Sequence, residues 1–107
     1  MKAGTVVISS FPGVISSKRR PSVVVSSKTY YREHSDLILA LITTNINKAT
    51  SATDYVLQDW SSANLNRPSA VRIFLFTLPE SEITKIGEFS ERDWSEVRKR
   101  LQISIEV

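Results

Sequence analysis

The chain has 107 residues, a formal net charge of +3, 41% hydrophobic residues, one histidine and no cysteine. That length has room for a single domain over 1–107, because each half of a divided chain would be too small to close a core. Without cysteine there is no disulfide, thiolate metal site or cysteine nucleophile, and a lone His34 removes paired-histidine nucleases and most zinc geometries. No apolar run approaches the ~18 residues needed to span a membrane. The N-terminal residues run straight into Val6-Val7-Ile8, too short for the apolar part of a signal peptide, so the expected address is the cytoplasm. Charge is unevenly placed: through Arg32 there are six basic residues and no acid, which favours a polyanionic partner, nucleic acid first.

Taken in chain order, Thr5 to Ser10 is β-branched and apolar and predicts a strand, ended by Phe11-Pro12-Gly13. A second strand is expected over Ser22 to Ser27, opened by Arg20-Pro21, since a proline at a strand's first residue loses no interior ladder bond. Asp36 to Thr44 is apolar on both faces from Leu37 to Ile42 and predicts a central buried strand. Asn45 to Thr53 reads as an exposed polar loop, and Tyr55 to Gln58 as a short strand. Asp59 to Leu65 suits one helical turn before Arg67-Pro68. From Ser69 to Leu78, Val71, Ile73 and Leu75 fall on one face and Arg72, Phe74 and Phe76 on the other.

The C-terminal segment predicts a helix of about four turns. Ser90 is placed to cap it with Asp93 as capping-box partner, Phe89 and Trp94 stand at staple positions, and Trp94, Val97, Leu101 and Ile105 form one apolar stripe. Its early acids and later Arg98-Lys99-Arg100 follow the helix dipole, which accounts for the basic triplet without a ligand. Strands followed by a packing helix give a mainly β, α+β domain or small barrel.

Two constellations suit phosphate chemistry. Ser16-Ser17-Lys18-Arg19-Arg20-Pro21 joins hydroxyl donors to three consecutive cations, and guanidinium grips phosphate bidentately. The same residues also suit a solvated loop. Thr43-Thr44-Asn45, at the end of the most buried strand, offers hydroxyl and amide groups to a phosphate or base edge, although Thr is ordinary in strands and Asn in turns. His34-Ser35-Asp36 does not make a catalytic relay, because neighbouring residues in a strand point to opposite faces. Asp54 and Asp59 likewise make a poor metal or acid–base pair, and Trp60 and Trp94 read as core residues.

The ordered set Gly4-Thr5-Val6-Val7, Phe11-Pro12, Lys18-Arg19-Arg20-Pro21, Ala40-Leu41-Ile42-Thr43-Thr44-Asn45, Asp54-Tyr55-Val56-Leu57-Gln58-Asp59-Trp60, Pro68-Ser69-Ala70-Val71-Arg72 and Phe76-Thr77-Leu78 resembles the PemK/MazF toxins of bacterial toxin–antitoxin systems. The resemblance implies an SH3-like, CcdB/MazF-type small barrel with a C-terminal α-helix, a homodimer, and a sequence-selective endoribonuclease that cuts single-stranded mRNA without a metal or other cofactor. It also implies a cognate antitoxin with an acidic segment. By the same resemblance Arg20 matches the catalytic arginine, Thr43 the catalytic threonine, and Arg72 the arginine that assists the phosphate. Ser17, Lys18, Arg19, Thr44 and Asn45 are then expected on RNA.

Three positions depart from the pattern. Thr5 replaces the usual aspartate of the opening, the loop before Arg20-Pro21 is shorter than in many relatives, and Phe74 stands where PemK-like members carry an aspartate base. The alternatives are a non-enzymatic gyrase poison of the CcdB kind, for which the ending Ile103-Ser104-Ile105-Glu106-Val107 lacks the Trp-Gly-Ile terminus, and a barrel that binds RNA without cutting it.

Overall fold

The computed structural model describes residues 1–10 and 19–106. Ser17, Lys18 and the Phe11-Pro12-Gly13 turn fall outside the described residues. The chain order is β1 (Thr5–Ser10), β2 (Arg19–Val24), α1 (Lys28–His34), β3 (Asp36–Thr43), β4 (Tyr55–Val56), β5 (Ala70–Pro79), β6 (Thr84–Glu88) and α2 (Glu91–Ser104). The strands form one antiparallel sheet in the order β4-β5-β3-β2-β1-β6, curled into a half-barrel that carries α2. This is the expected mainly β, α+β architecture with its closing helix.

Strand alternation gives the sheet two differently covered faces. Val6, Val23, Ala40, Ile42 and Val71 point to the α2 side, where Val97 and Phe89 are buried with them and Trp94, Trp60 and Leu101 pack alongside. On the other face Val7, Val24, Leu37 and Leu39 cluster with Ile83, flanked by Tyr31, Phe76 and Leu78. The split explains why β3 is apolar on both sides: Leu37 and Leu39 serve one cluster, Ala40 and Ile42 the other. Burying a Leu side chain stabilises by about 1.5–3 kcal/mol, so both clusters matter.

The expected alternation of β5 holds through an irregularity. Leu41 faces Arg72 but Ala40 faces Leu75, so β5 carries two extra residues there. An insertion of two preserves parity, which keeps Arg72 on the face opposite Val71.

Several expectations are corrected. β2 starts at Arg19, not Ser22, so Pro21 lies inside the strand, opposite Ile8. It is tolerated because pairing with β3 begins only at Ser22, leaving no ladder bond for the missing N–H on that side. Ser26 and Ser27 leave the strand: Ser26 Oγ accepts from the Ile38 N–H, and Ser27 Oγ caps α1 by accepting from Tyr30 N–H. Helix α1 itself, and strand β6, were not expected. β4 is two residues long, and Asp59–Leu65 forms turns rather than a helical turn, with the Trp60 carbonyl accepting from Ala63 and Leu65 N–H and Asn64 left-handed at φ 64°. β6 lies close against this turn: a Cβ on Gly87 would stand 2.3 Å from the Ala63 carbonyl oxygen, so only glycine fits.

Helix α2 matches the expected cap, with Ser90 Oγ accepting from Asp93 N–H. The Asp93 side chain does not act as a surface capping partner, however. It is fully buried and accepts from Tyr55 Oη (2.6 Å), Gln58 N–H (3.1 Å) and Asp59 N–H (2.8 Å), tying the helix to the segment after β4. Arg100 and Lys99 pair with Glu96, as a structural role for the basic triplet requires. Among the described residues, no helix is long and apolar enough to cross a membrane.

Candidate functional site

The candidate site lies at the sheet end where β2 begins and β3 finishes. Ser22 faces Leu41 at the end of the β2–β3 ladder; Arg20 stands two residues before Ser22 and Thr43 two residues after Leu41, both just past the last paired residues. On the far side of β3, Thr43 faces Ala70 and Leu41 faces Arg72. Because alternate residues share a face, Arg20, Ser22, Leu41, Thr43 and Arg72 project to one side of the sheet. Two residues far apart in sequence and a third from β5 are therefore gathered by register alone.

Arg20 is exposed, and among the described residues its guanidinium makes no hydrogen bond or ion pair. Among the described residues, none of its five N–H donors is taken. Thr43 is half-buried, and its Oγ1 accepts from the Asn45 N–H at 3.1 Å. That bond occupies a lone pair, fixes the hydroxyl, and leaves its proton to be donated. Asn45 itself is exposed and, among the described residues, its side-chain amide makes no hydrogen bond, so it is accessible beside Thr43.

Arg72 is held by a residue that sequence reasoning did not connect to it. Its Nε lies 3.4 Å from Asp54 Oδ1; the Asp54 side chain is 3% exposed and the Arg72 side chain 45%. Asp54 Oδ2 also accepts from the Ser51 N–H. The carboxylate thus anchors one edge of the arginine and leaves the outer nitrogens toward solvent. With Phe74 in place of an acid two residues on, Asp54 is the carboxylate that partners this arginine. The sequence signal was only an acidic residue before a short strand, and its partner is 18 residues away. Asp59, by contrast, is spent elsewhere, on Arg92 and Ser90, so Asp54 and Asp59 do not converge.

Arg19 and Thr44 fall on the opposite face. The Arg19 guanidinium donates to the Ile8 carbonyl (2.9 Å) and to Thr84 Oγ1 (3.2 Å), which ties the start of β2 to β1 and β6. Together with Pro21 and Thr44 it borders a cavity of about 250 Å³ closed by residues 64–69 and Ile86. The predicted RNA-binding residues therefore divide: Arg72 joins Arg20 and Thr43, Arg19 and Thr44 do not, and Ser17 and Lys18 lie outside the described residues.

Other sequence candidates take structural places. His34 closes α1, its ring 4.6 Å from that of Tyr30, and Ser35 turns left-handed at φ 57° before β3 begins, so His34-Ser35-Asp36 spans a helix end rather than a strand. Trp60 and Trp94 pack on the core. Among the described residues, no three His, Cys, Asp or Glu side chains gather as a metal site would require.

The sequence model of the "PemK-like, MazF-like toxin of type II toxin-antitoxin system" matches residues 2–105. No curated protein sequence matches the chain. Among solved structures, a mycobacterial endoribonuclease in complex with its cognate antitoxin is similar with a TM-score of 0.79 at 19% identity, covering 97% of this chain and 93% of that one. A MazE–MazF structure from Deinococcus radiodurans gives 0.72 at 18% identity over 97% and 93%. The Mycobacterium tuberculosis toxin MazF-mt6 gives 0.73 at 19% identity over 96% and 99%. At such identities the likeness to these structures is one of fold.

Proposed function

Because the chain belongs to the PemK-like, MazF-like toxin family of type II toxin–antitoxin systems, we propose that it is a toxin endoribonuclease that cuts single-stranded mRNA and so arrests translation in the cytoplasm. Residues 1–107 act as one toxin domain. The observation that carries this reading is the Arg20 guanidinium, without a partner among the described residues, on the same sheet face as Thr43 and Arg72 where β2 begins and β3 ends.

The chemistry this arrangement suits is internal transfer. The RNA 2′-oxygen attacks its own phosphorus, the P–O5′ bond breaks, the 2′-hydroxyl gives up its proton and the departing 5′-oxygen takes one. The products are a 2′,3′-cyclic phosphate and a 5′-hydroxyl. Arg20 clamps the non-bridging oxygens as charge builds on them, and a guanidinium is suited to this rather than to base chemistry because it stays protonated with a pKa above ~12. Thr43 donates its remaining proton to a non-bridging oxygen. Arg72, braced by Asp54, holds a neighbouring phosphate. The scheme calls on no metal or cofactor.

Two partners follow from the same reading. An antitoxin with an acidic segment would satisfy Arg20 and Arg72 and cover the site. A second copy of the chain is supported by an apolar groove between the sheet and the end of α2, lined by Val25, Ile38, Leu75, Leu101 and Ile105, with Ile103 63% exposed beside it.

Incubating the purified protein with a long RNA in excess EDTA tests the reading. Fragments with cyclic phosphate and 5′-hydroxyl ends are expected. Intact RNA, together with gyrase-dependent DNA breaks in cells expressing the protein, would overturn it in favour of a gyrase poison.

A further inference from the structure

The cavity on the opposite face from Arg20 is built like a base pocket. Its floor is apolar, from Ile8, Pro21, Leu65 and Ile86. Its rim is polar, from Arg67, Asn64, Asn66 and Thr44. Ligand clefts usually run from about 300 Å³ upward, so at about 250 Å³ this one admits a single planar ring system rather than a dinucleotide.

The wall is held in shape by bonds that use up only part of its hydrogen-bonding capacity. Asn64 donates its amide nitrogen to the Ile86 carbonyl at 2.7 Å, which leaves Oδ1 as an acceptor. Ser69 Oγ donates to the Arg67 carbonyl at 2.8 Å, fixing the backbone that carries the arginine. The Arg67 side chain is exposed and, among the described residues, makes no hydrogen bond or ion pair. Gly87 lets β6 close against this turn, where any side chain would collide with the Ala63 carbonyl.

Position relates the cavity to the proposed cleavage site. Arg19 and Arg20 are consecutive, as are Thr43 and Thr44, and in each pair one residue borders the cavity while the other lies on the face of the proposed cleavage site. A single strand crossing this sheet end can leave its phosphate on one face and turn the adjacent base into the other. Unstacked bases read on their edges are the usual target of sequence-selective RNA recognition.

We infer that this cavity, built from the 64–69 turn and the starts of β2 and β6, is the pocket that reads the base next to the cut, and that it selects guanine. The inference rests on the ribonuclease reading for its location beside the cut, but not for the binding. A guanidinium donates a fork that matches O6 and N7 of guanine, while Asn64 Oδ1 accepts from its ring or amino N–H. Adenine would turn an amino donor toward the arginine.

Titration of the isotope-labelled protein with each of the four nucleoside 5′-monophosphates, followed by NMR, tests the binding without cleavage. The phosphate is common to all four, so differences report the base. Guanosine monophosphate is expected to shift the amides of Thr44, Asn66, Arg67 and Ile86 at about tenfold lower concentration than adenosine monophosphate, the scale of one bidentate pair. Arg67→Ala, at an exposed position, should erase that difference. Equal responses to all four nucleotides, or cavity amides that do not move, would overturn the inference. Sequencing the ends cut from a random RNA pool gives the second arm: guanine enrichment at one position beside the cut, lost in Arg67→Ala. Uniform slowing with an unchanged cut pattern would make Arg67 a phosphate contact instead. Guanosine selectivity without any cleavage would sink the ribonuclease reading and leave the pocket standing.

Discussion

Two polar regions of this molecule dispose of their charges in opposite ways. Around the start of α2, Asp93 is buried and accepts three hydrogen bonds, while Asp59 accepts from Ser90 and takes Arg92 in a two-pronged pair at 2.7 and 2.6 Å. At the end of β2 and β3, Arg20 has no partner among the described residues, Thr43 keeps its proton, and Arg72 is gripped on one edge only. The first region is closed within the chain and serves stability. The second carries donors whose needs the described residues do not meet, which is what a site for an anionic ligand requires.

Substitutions in the two regions should separate along those lines. Asp93→Ala leaves the Tyr55 hydroxyl and two N–H groups without their acceptor, and an unsatisfied buried donor costs about 1–3 kcal/mol, so a loss of ~3 kcal/mol in urea unfolding is expected. Burial, and then the Asp93 hydrogen bond, push the Tyr55 phenol well above its ordinary range, so it remains a donor throughout the usable pH range. Gly87→Ala forces a Cβ onto the Ala63 carbonyl and should cost ~2 kcal/mol in the same assay, the scale of overpacking. Thr43→Val should leave the unfolding midpoint nearly unchanged, because the exposed Asn45 N–H finds water. Its turnover on a defined RNA should still fall by ~10², the scale of one donor lost from a transition state.

The smallest effect is one of pH. Hydrogen bonds from Arg92 and then Ser90 hold the Asp59 carboxyl at about 2, below its ordinary 3.8. A depressed folded-state value stabilises above about pH 3.8 and is lost as pH falls toward 2. Asp59→Asn should therefore flatten the acid limb of a stability–pH curve while leaving cleavage near pH 7 unchanged. An acid limb identical to that of the parent chain would remove Asp59 from this account.

Much of the fold was legible where burial imposes a period. β1, β3 and the stripe of α2 carry apolar residues at spacings that only one structure satisfies, and the parity of β5 survived its two-residue insertion. The unexpected elements lack that signal. No residue of α1 is buried, so its helix shows no stripe and rests on the Ser27 cap; β6 reads Thr-Lys-Ile-Gly-Glu, with one apolar side chain. The site was legible as residue types but not as faces. Starting β2 at Arg19 instead of Ser22 decides that Arg19 and Arg20 are both strand residues and so must point apart. The Asp54–Arg72 pair depends on which strand β4 joins, and two residues of strand carry too little pattern to say.

The separation of Arg19 from Arg20 is the central claim, and single-turnover cleavage of one defined RNA tests it, with circular dichroism as the folding control. Arg20→Ala should slow cleavage by ~10² or more, with Arg20→Lys a poor substitute because an ammonium lacks the fork. Arg19→Ala, whose guanidinium is bound to Ile8 and Thr84 at the border of the base cavity, should weaken RNA binding but leave the cleavage step of saturated RNA within a few-fold of the parent chain. An Arg20→Ala protein that folds and cleaves at the parental rate, or an Arg19→Ala protein that folds and is dead, would contradict the assignment.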